Sequence, residues 1–324
     1  MSNRNKSIFF VLIAVILYMV IHVIGKHVYP HYPQRDIKIN RLLENASSFK
    51  SITIGHSHGC SIDYKELGRV GYHVWEGSND FSESEYQLRA ILPLLPNVKE
   101  VFFVISPGHF YFYNNLGSDR AEVRRIYYSL LPGDEYVEND FRNYLVAQTA
   151  PVVRSDHWKP YITGVKTEGD LFTDTGKLDL KETFSKERLE KTYEVFDGWT
   201  KLFAKRQASK IHDIFQYNVR MLKKIITLTK EKNIRLILYT PPYTHAYLNL
   251  LETNCPEVLK EFDRTLKSIS EEEKIKYYDF SRTLPFNRNN TPYFADQTHL
   301  TREGSRLFSQ QFKKIMDKDG LLPF

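Results

Sequence analysis

Residues 53–63 read TIGHSHGCSID, which places Ser57 between His56 and His58 with a glycine on either side. A serine hydroxyl attacks a carbonyl only when a base removes its proton, and an imidazole with a pKa near 6.5 suits that task. His56 and His58 are poorly placed as bases, because consecutive side chains diverge. A better base stands near the far end of the chain, in ADQTHLT, where Asp296 precedes His299 by three residues. That spacing lets a carboxylate hold one ring nitrogen while the other faces a serine. Each piece also has an ordinary reading: Ser57 as a turn hydroxyl, Asp296 as a loop carboxylate, His299 as a residue at a helix start. A zinc site built from His56, His58, His109, Asp296 and His299 has the right residue types, but the spacings match no compact zinc pattern. No metal and no cofactor are expected.

These residues need elements to bring them together. SITIG (51–55), GYHVWEG (71–77), VKEVFFVISPG (98–108), NIRLILYTPP (233–242) and IKYYDFS (275–281) are predicted strands, and the third is nearly continuous in apolar residues, as an interior parallel strand is. Helical spacing marks 82–97, interrupted at Pro93, and also about 198–231, 255–269 and 302–318, the last with Thr301 as N-cap. Strands separated by helices predict a three-layer α/β sandwich with a central, mostly parallel sheet of the flavodoxin type. Its ligand site belongs at the carboxyl ends of the strands. GHSHG, WEGSND, SPGHF, YTPPYTHAY and YFADQTHL all sit at such ends. The aromatic groups FYFY (110–113) and YTHAY (243–247) are either sugar-stacking platforms or ordinary core.

With 324 residues, 42% hydrophobic and 26% charged, the chain has globular composition. The net charge of +6 is spread along it, so no nucleic-acid partner is expected. Cys60 and Cys255 form no redox or metal motif. Ile8 to Gly25 carries no formal charge and follows Arg4 and Lys6, which predicts an uncleaved transmembrane anchor at 1–28. Residues 29–50 then form a stalk and 51–324 the α/β domain. Within that domain 115–197, mixed and turn-rich apart from a helical SDRAEVRRIYYSLL, reads as an insertion or lid. The anchor implies a membrane-bound protein with its domain on the extracytoplasmic side.

A serine at the first strand end, paired with D-x-x-H before the last helix, resembles the SGNH (GDSL-type) hydrolase superfamily. TIGHSHGCSID is similar to its first block, with His56 in the usual aspartate position, and YFADQTHLTREGSRLF to its last. The branch it resembles most is the membrane-anchored group related to cell-envelope polymer modification, including the lipoteichoic-acid alanylation protein and alginate O-acetyltransferase relatives. The blocks span 51–108 and 233–317. The resemblance implies Ser57 as nucleophile, His299 as base, Asp296 as orienting acid, and an oxyanion hole from the N–H groups of Ser57 and Gly77. It departs at the third block, where ISPGHFYFYNN lacks the usual glycine and asparagine. His109, Asn79 or Asn114 is then the candidate for the remaining donor. GSND at 77–80 mimics the missing motif but follows the second strand, so that match is read as accidental.

The expectation is therefore a serine-dependent acyl-ester hydrolase or O-acyltransferase acting on an envelope carbohydrate or wall polymer, with a membrane acyl-transfer partner as a further expectation. The alternative is a non-catalytic envelope-assembly or glycan-binding protein that retains the fold.

Overall fold

The structure, a computed structural model, describes residues 3–28, 33–112, 173–208, 212–282 and 292–324. The chain divides into two compact units, Met1–Asn40 with Asn115–Leu171, and Arg41–Asn114 with Phe172–Phe324.

In the first unit, α1 spans Asn3–Val28, and α2 (Pro33–Glu44) begins there and ends in the second. The expected anchor is corrected. Among the described residues no helix is long and apolar enough to cross a membrane. Everything inferred from the anchor loses its support with it: the membrane as partner, the extracytoplasmic location, the envelope carbohydrate or wall polymer brought to the domain, and a membrane acyl-transfer partner. An uncharged run alone measures apolarity, not a span.

The second unit holds five parallel strands in the order β2-β1-β3-β4-β5. They are β1 (Ser51–Gly55), β2 (Gly71–His73), β3 (Glu100–Val104), β4 (Arg235–Thr240) and β5 (Lys276–Asp279). β1 and β3 are buried throughout, and Val101 to Val104 of β3 form an unbroken apolar run. Alternate residues feed two cores. On one face Phe102, Val104, Ile237 and Tyr239 pack with α3 (Tyr64–Leu67) and with Phe308, Phe312 and Met316 of α9 (Arg302–Lys318). On the other face Phe103 meets Phe81 of α4 (Phe81–Ile91) at 5.6 Å between ring centres. There Phe110 lies 5.3 Å from Phe215 of α6 (His212–Glu231) and 6.0 Å from Phe262 of α8 (Pro256–Glu273). Two layers of helix thus enclose the sheet. α5 (Lys186–Ala208) and α7 (His245–Asn254) complete the described helices.

Several boundaries differ from the sequence reading. β2 stops at His73, because Val74 and Trp75 both turn their N–H groups to the carbonyl of Thr53. The expected helix at 198–231 is two helices, α5 and α6, and α5 starts at Lys186, inside the expected insertion. The first turn of α7, to Tyr247, falls in YTPPYTHAY, which reads as a strand-end motif. Of the segment 115–197, residues 115–172, with the expected helix SDRAEVRRIYYSLL, lie outside the described residues.

Strand order reverses between β1 and β3, so the crevice of this sheet opens where those two strands end. Gly55 closes β1 there with φ +107°, and an added Cβ would stand 2.7 Å from the Val104 carbonyl oxygen. Only glycine lets the chain turn this close to β3.

Candidate active site

Ser57 follows that turn. His56 is extended, and its Nδ1 accepts the N–H of His58 at 3.4 Å, starting the short 3-10 turn Ser57–Ser61. Ser57 is half-buried while His56 and His58 are buried.

The loop before α9 supplies the partner. It is closed by a Phe294–Leu300 bridge and by the Ala295 N–H on the His299 carbonyl at 2.8 Å. Inside it, Asp296 Oδ1 accepts the N–H groups of Thr298 at 2.7 Å and His299 at 2.8 Å. Asp296 Oδ2 lies 2.8 Å from His299 Nδ1, and His299 Nε2 lies 2.9 Å from Ser57 Oγ. A carboxylate only accepts, so the imidazole proton sits on Nδ1 and the Nε2 lone pair faces the serine hydroxyl. Burial pushes the Asp296 carboxyl up, but the charge and hydrogen bond of His299 and the two loop N–H groups outweigh it and hold the group well below the carboxylate range. Burial pulls His299 down; the Asp296 charge and hydrogen bond prevail and raise it above 6.5.

The second strand brings up Gly77. The Glu76 N–H bonds the Gly55 carbonyl at 3.1 Å, which fixes this turn beside the end of β1. Gly77 is half-buried, and a Cβ built on it meets nothing within 4 Å, so the position borders open space. Asn79 is buried in the same turn. His109, in the 3-10 turn Pro107–Tyr111 after β3, stacks on Phe81 at 4.2 Å and places Nε2 2.9 Å from the Asn79 carbonyl oxygen. A carbonyl accepts only, so Nε2 carries the proton and Nδ1 has a lone pair. That imidazole is a brace for the Asn79 turn, and its chemistry does not suit the third oxyanion donor. Asn114 lies outside the described residues.

Sequence reasoning missed what His56, His58 and His109 do together. Their rings pack edge to face, 4.5 Å between His56 and His58 and 4.8 Å between His56 and His109, and His58 lies 4.8 Å from His299. The H-x-H pattern was the available signal; in sequence it stands as a candidate pair of bases or metal ligands, and the structure packs it beside His299. Burial holds His109 down at about 4 and the other two well below 6.5, so all three are neutral at pH 7. Among the described residues no group of three His, Cys, Asp or Glu side chains is placed to hold a metal. Cys60 and Cys255 are buried and form no disulfide among the described residues, and burial pushes the Cys255 thiol up to about 12. Phe110, Tyr111, Tyr243 and Tyr247 are buried in the core and offer no stacking platform.

No family model matches the chain, and no curated protein does. Among solved structures, a crystal structure described as a "putative acylhydrolase" from Bacteroides fragilis is similar at 12% identity and a TM-score of 0.40, over 86% of this chain and 96% of that one. The likeness is a distant one of fold, and at that distance it carries nothing about activity.

Proposed function

We propose that the second unit performs acyl transfer from an ester through Ser57. His299 takes the hydroxyl proton as Oγ adds to the ester carbonyl, then delivers it to the departing alcohol, leaving an acyl-serine. Water or another hydroxyl, deprotonated by the same imidazole, then releases the acyl group and restores Ser57. Asp296 holds the tautomer and stabilises the imidazolium. The N–H groups of Ser57 and Gly77 are assigned to the oxyanion. The observation that carries this reading is the continuous contact from Asp296 Oδ2 through His299 to Ser57 Oγ, at 2.8 and 2.9 Å. Whether water or a hydroxyl is the acceptor depends on how well the site excludes water once the ester is bound. Turnover of a chromogenic acetyl ester, lost in Ser57→Ala, tests it; equal rates from both proteins would overturn it.

The second reading is a binding protein that keeps the fold without catalysis. The His109 brace favours it: the imidazole at the third block is committed to the Asn79 carbonyl. Loss of one oxyanion donor costs on the order of 3 kcal/mol of transition-state stabilisation. This reading expects no turnover and an inert Ser57→Ala substitution.

A further inference from the structure

We infer that Gln297 is a positioning residue, the centre of a clamp that fixes the acid–base loop between the 180–192 segment and α7. The inference deepens the reading above and rests on it for its catalytic meaning.

Gln297 stands between the acid and the base and is buried. Its side-chain Nε2 donates to the Leu189 carbonyl at 2.9 Å, and its Oε1 lies 2.8 Å from Thr192 Oγ1. The Leu189 carbonyl accepts only, which fixes the amide orientation, and the single Thr192 hydroxyl proton is shared between Oε1 and the Leu189 carbonyl at 2.9 Å. On the opposite side the Gln297 carbonyl accepts both the N–H and the hydroxyl of Thr244, each at 3.0 Å. Thr244 is the N-cap of α7, so that carbonyl is tied to a helix start.

The clamp extends along the chain. Thr183 Oγ1 donates to the Phe294 carbonyl at 2.7 Å, and the Phe184 N–H donates to the Ala295 carbonyl at 2.8 Å. Residues 294, 295 and 297 are therefore each held by the segment 180–192, while Asp296 and His299 bond each other. Asp296 organises the loop from within, and Gln297 is the side chain that anchors it from without. If that anchor is lost, the loop is free to loosen as well as to rotate, so both the Asp296–His299 and the His299–Ser57 contacts lengthen. Misplacement of a catalytic group by about 1 Å can cost on the order of 10²-fold in rate.

The test uses the full chain and Gln297→Leu, with Thr192→Val as the milder variant if the first does not fold. The His299 imidazole is titrated by NMR, which reads the loop whether or not the protein turns over an ester. The expected result is a His299 pKa that falls toward 6.5 in the variant. With the chromogenic ester, kcat is expected to fall roughly ten- to hundredfold at nearly constant KM. A folded variant whose His299 titrates as in the parent chain would overturn the inference, leaving Gln297 a packing residue. A parent chain without turnover but with the expected titration shift would instead remove the enzyme reading and keep the clamp.

Discussion

The two ends of the same sheet bury polar groups differently: the amino end ties most of them together, with Arg69 Nη1 left over, and the carboxyl end leaves several unpaired among the described residues. At the amino end Glu100, fully buried, accepts from Arg69 Nε at 3.0 Å, Arg235 Nη1 at 3.1 Å and Ser51 Oγ at 3.2 Å. Both arginines also reach the C-terminal tail, at the carbonyls of Leu321 and Leu322. At the carboxyl end His56 Nε2, His58 Nδ1 and His109 Nδ1 are buried with no hydrogen-bond partner among the described residues. Buried polar atoms in folded proteins are nearly always paired, so a cluster of exceptions marks a place where stability yields to something else. The amino end pins strands and tail together. The carboxyl end surrounds the Ser57–His299 contact with neutral imidazoles.

The largest expected effect breaks the carboxyl end. In Asp296→Asn the Oδ1 atom still accepts the two loop N–H groups, so the loop is expected to hold its shape. The new amide would donate to His299 Nδ1, move the imidazole proton to Nε2 and turn a donor toward Ser57. A fall in kcat of roughly 10⁴-fold is expected with little loss of stability, and ester kinetics beside thermal melting check both halves. Glu100→Gln is the counterpart at the amino end. Breaking a buried ion pair from one side costs about 3–5 kcal/mol, which urea unfolding would read, while kcat of the folded fraction stays unchanged.

The next contrast is with pH. His56, His58 and His109 have folded pKa values depressed by burial, so the unfolded chain takes up protons first as pH falls below about 6.5. Stability is therefore full above that pH and is lost on acidification, for His109 down to about 4. Each proton contributes up to about 1.4 kcal/mol per pH unit. His299, raised when folded, is protonated in both states below 6.5 and adds no slope there. Urea unfolding at pH 6.5, 6.0 and 5.5, below the window in which His299 adds stability as it protonates, should show a falling free energy, with a shallower fall in His109→Phe. A flat profile would contradict the assignment of neutral imidazoles. The smallest effect is expected at Gly77→Ala, within about 0.5 kcal/mol of stability, because the added Cβ meets nothing within 4 Å. A melting curve checks it.

Apolar pattern made the sheet legible. VFFV and LILY are buried apolar runs, and their composition places them inside. The positions of Ser57 and D-x-x-H followed from what a serine nucleophile would need, and the geometry brings those three residues together. The rest was hidden for definite reasons. The bond from His109 to Asn79 and those from Gln297 to Leu189 and Thr192 join residues far apart in sequence, and no local pattern encodes such pairs. The start of α7 sits behind Pro241 and Pro242, which end β4 and made the following Thr244 look like loop rather than an N-cap. α5 begins in an alternation of charges, KERLEK, that gives no strong apolar stripe. The N-terminal run misled in the other direction, since absence of charge was taken for a membrane span.

The most direct test of a base-activated Ser57 is covalent labelling of the full chain with a serine-directed phosphonate, mapped by peptide mass spectrometry across pH. The expected result is a single adduct on the peptide containing Ser57. Its rate should rise with pH through an apparent pKa above 6.5, because His299 must be neutral to take the proton and Asp296 holds its pKa up. No adduct in protein shown to be folded, or an adduct on another residue, would contradict it.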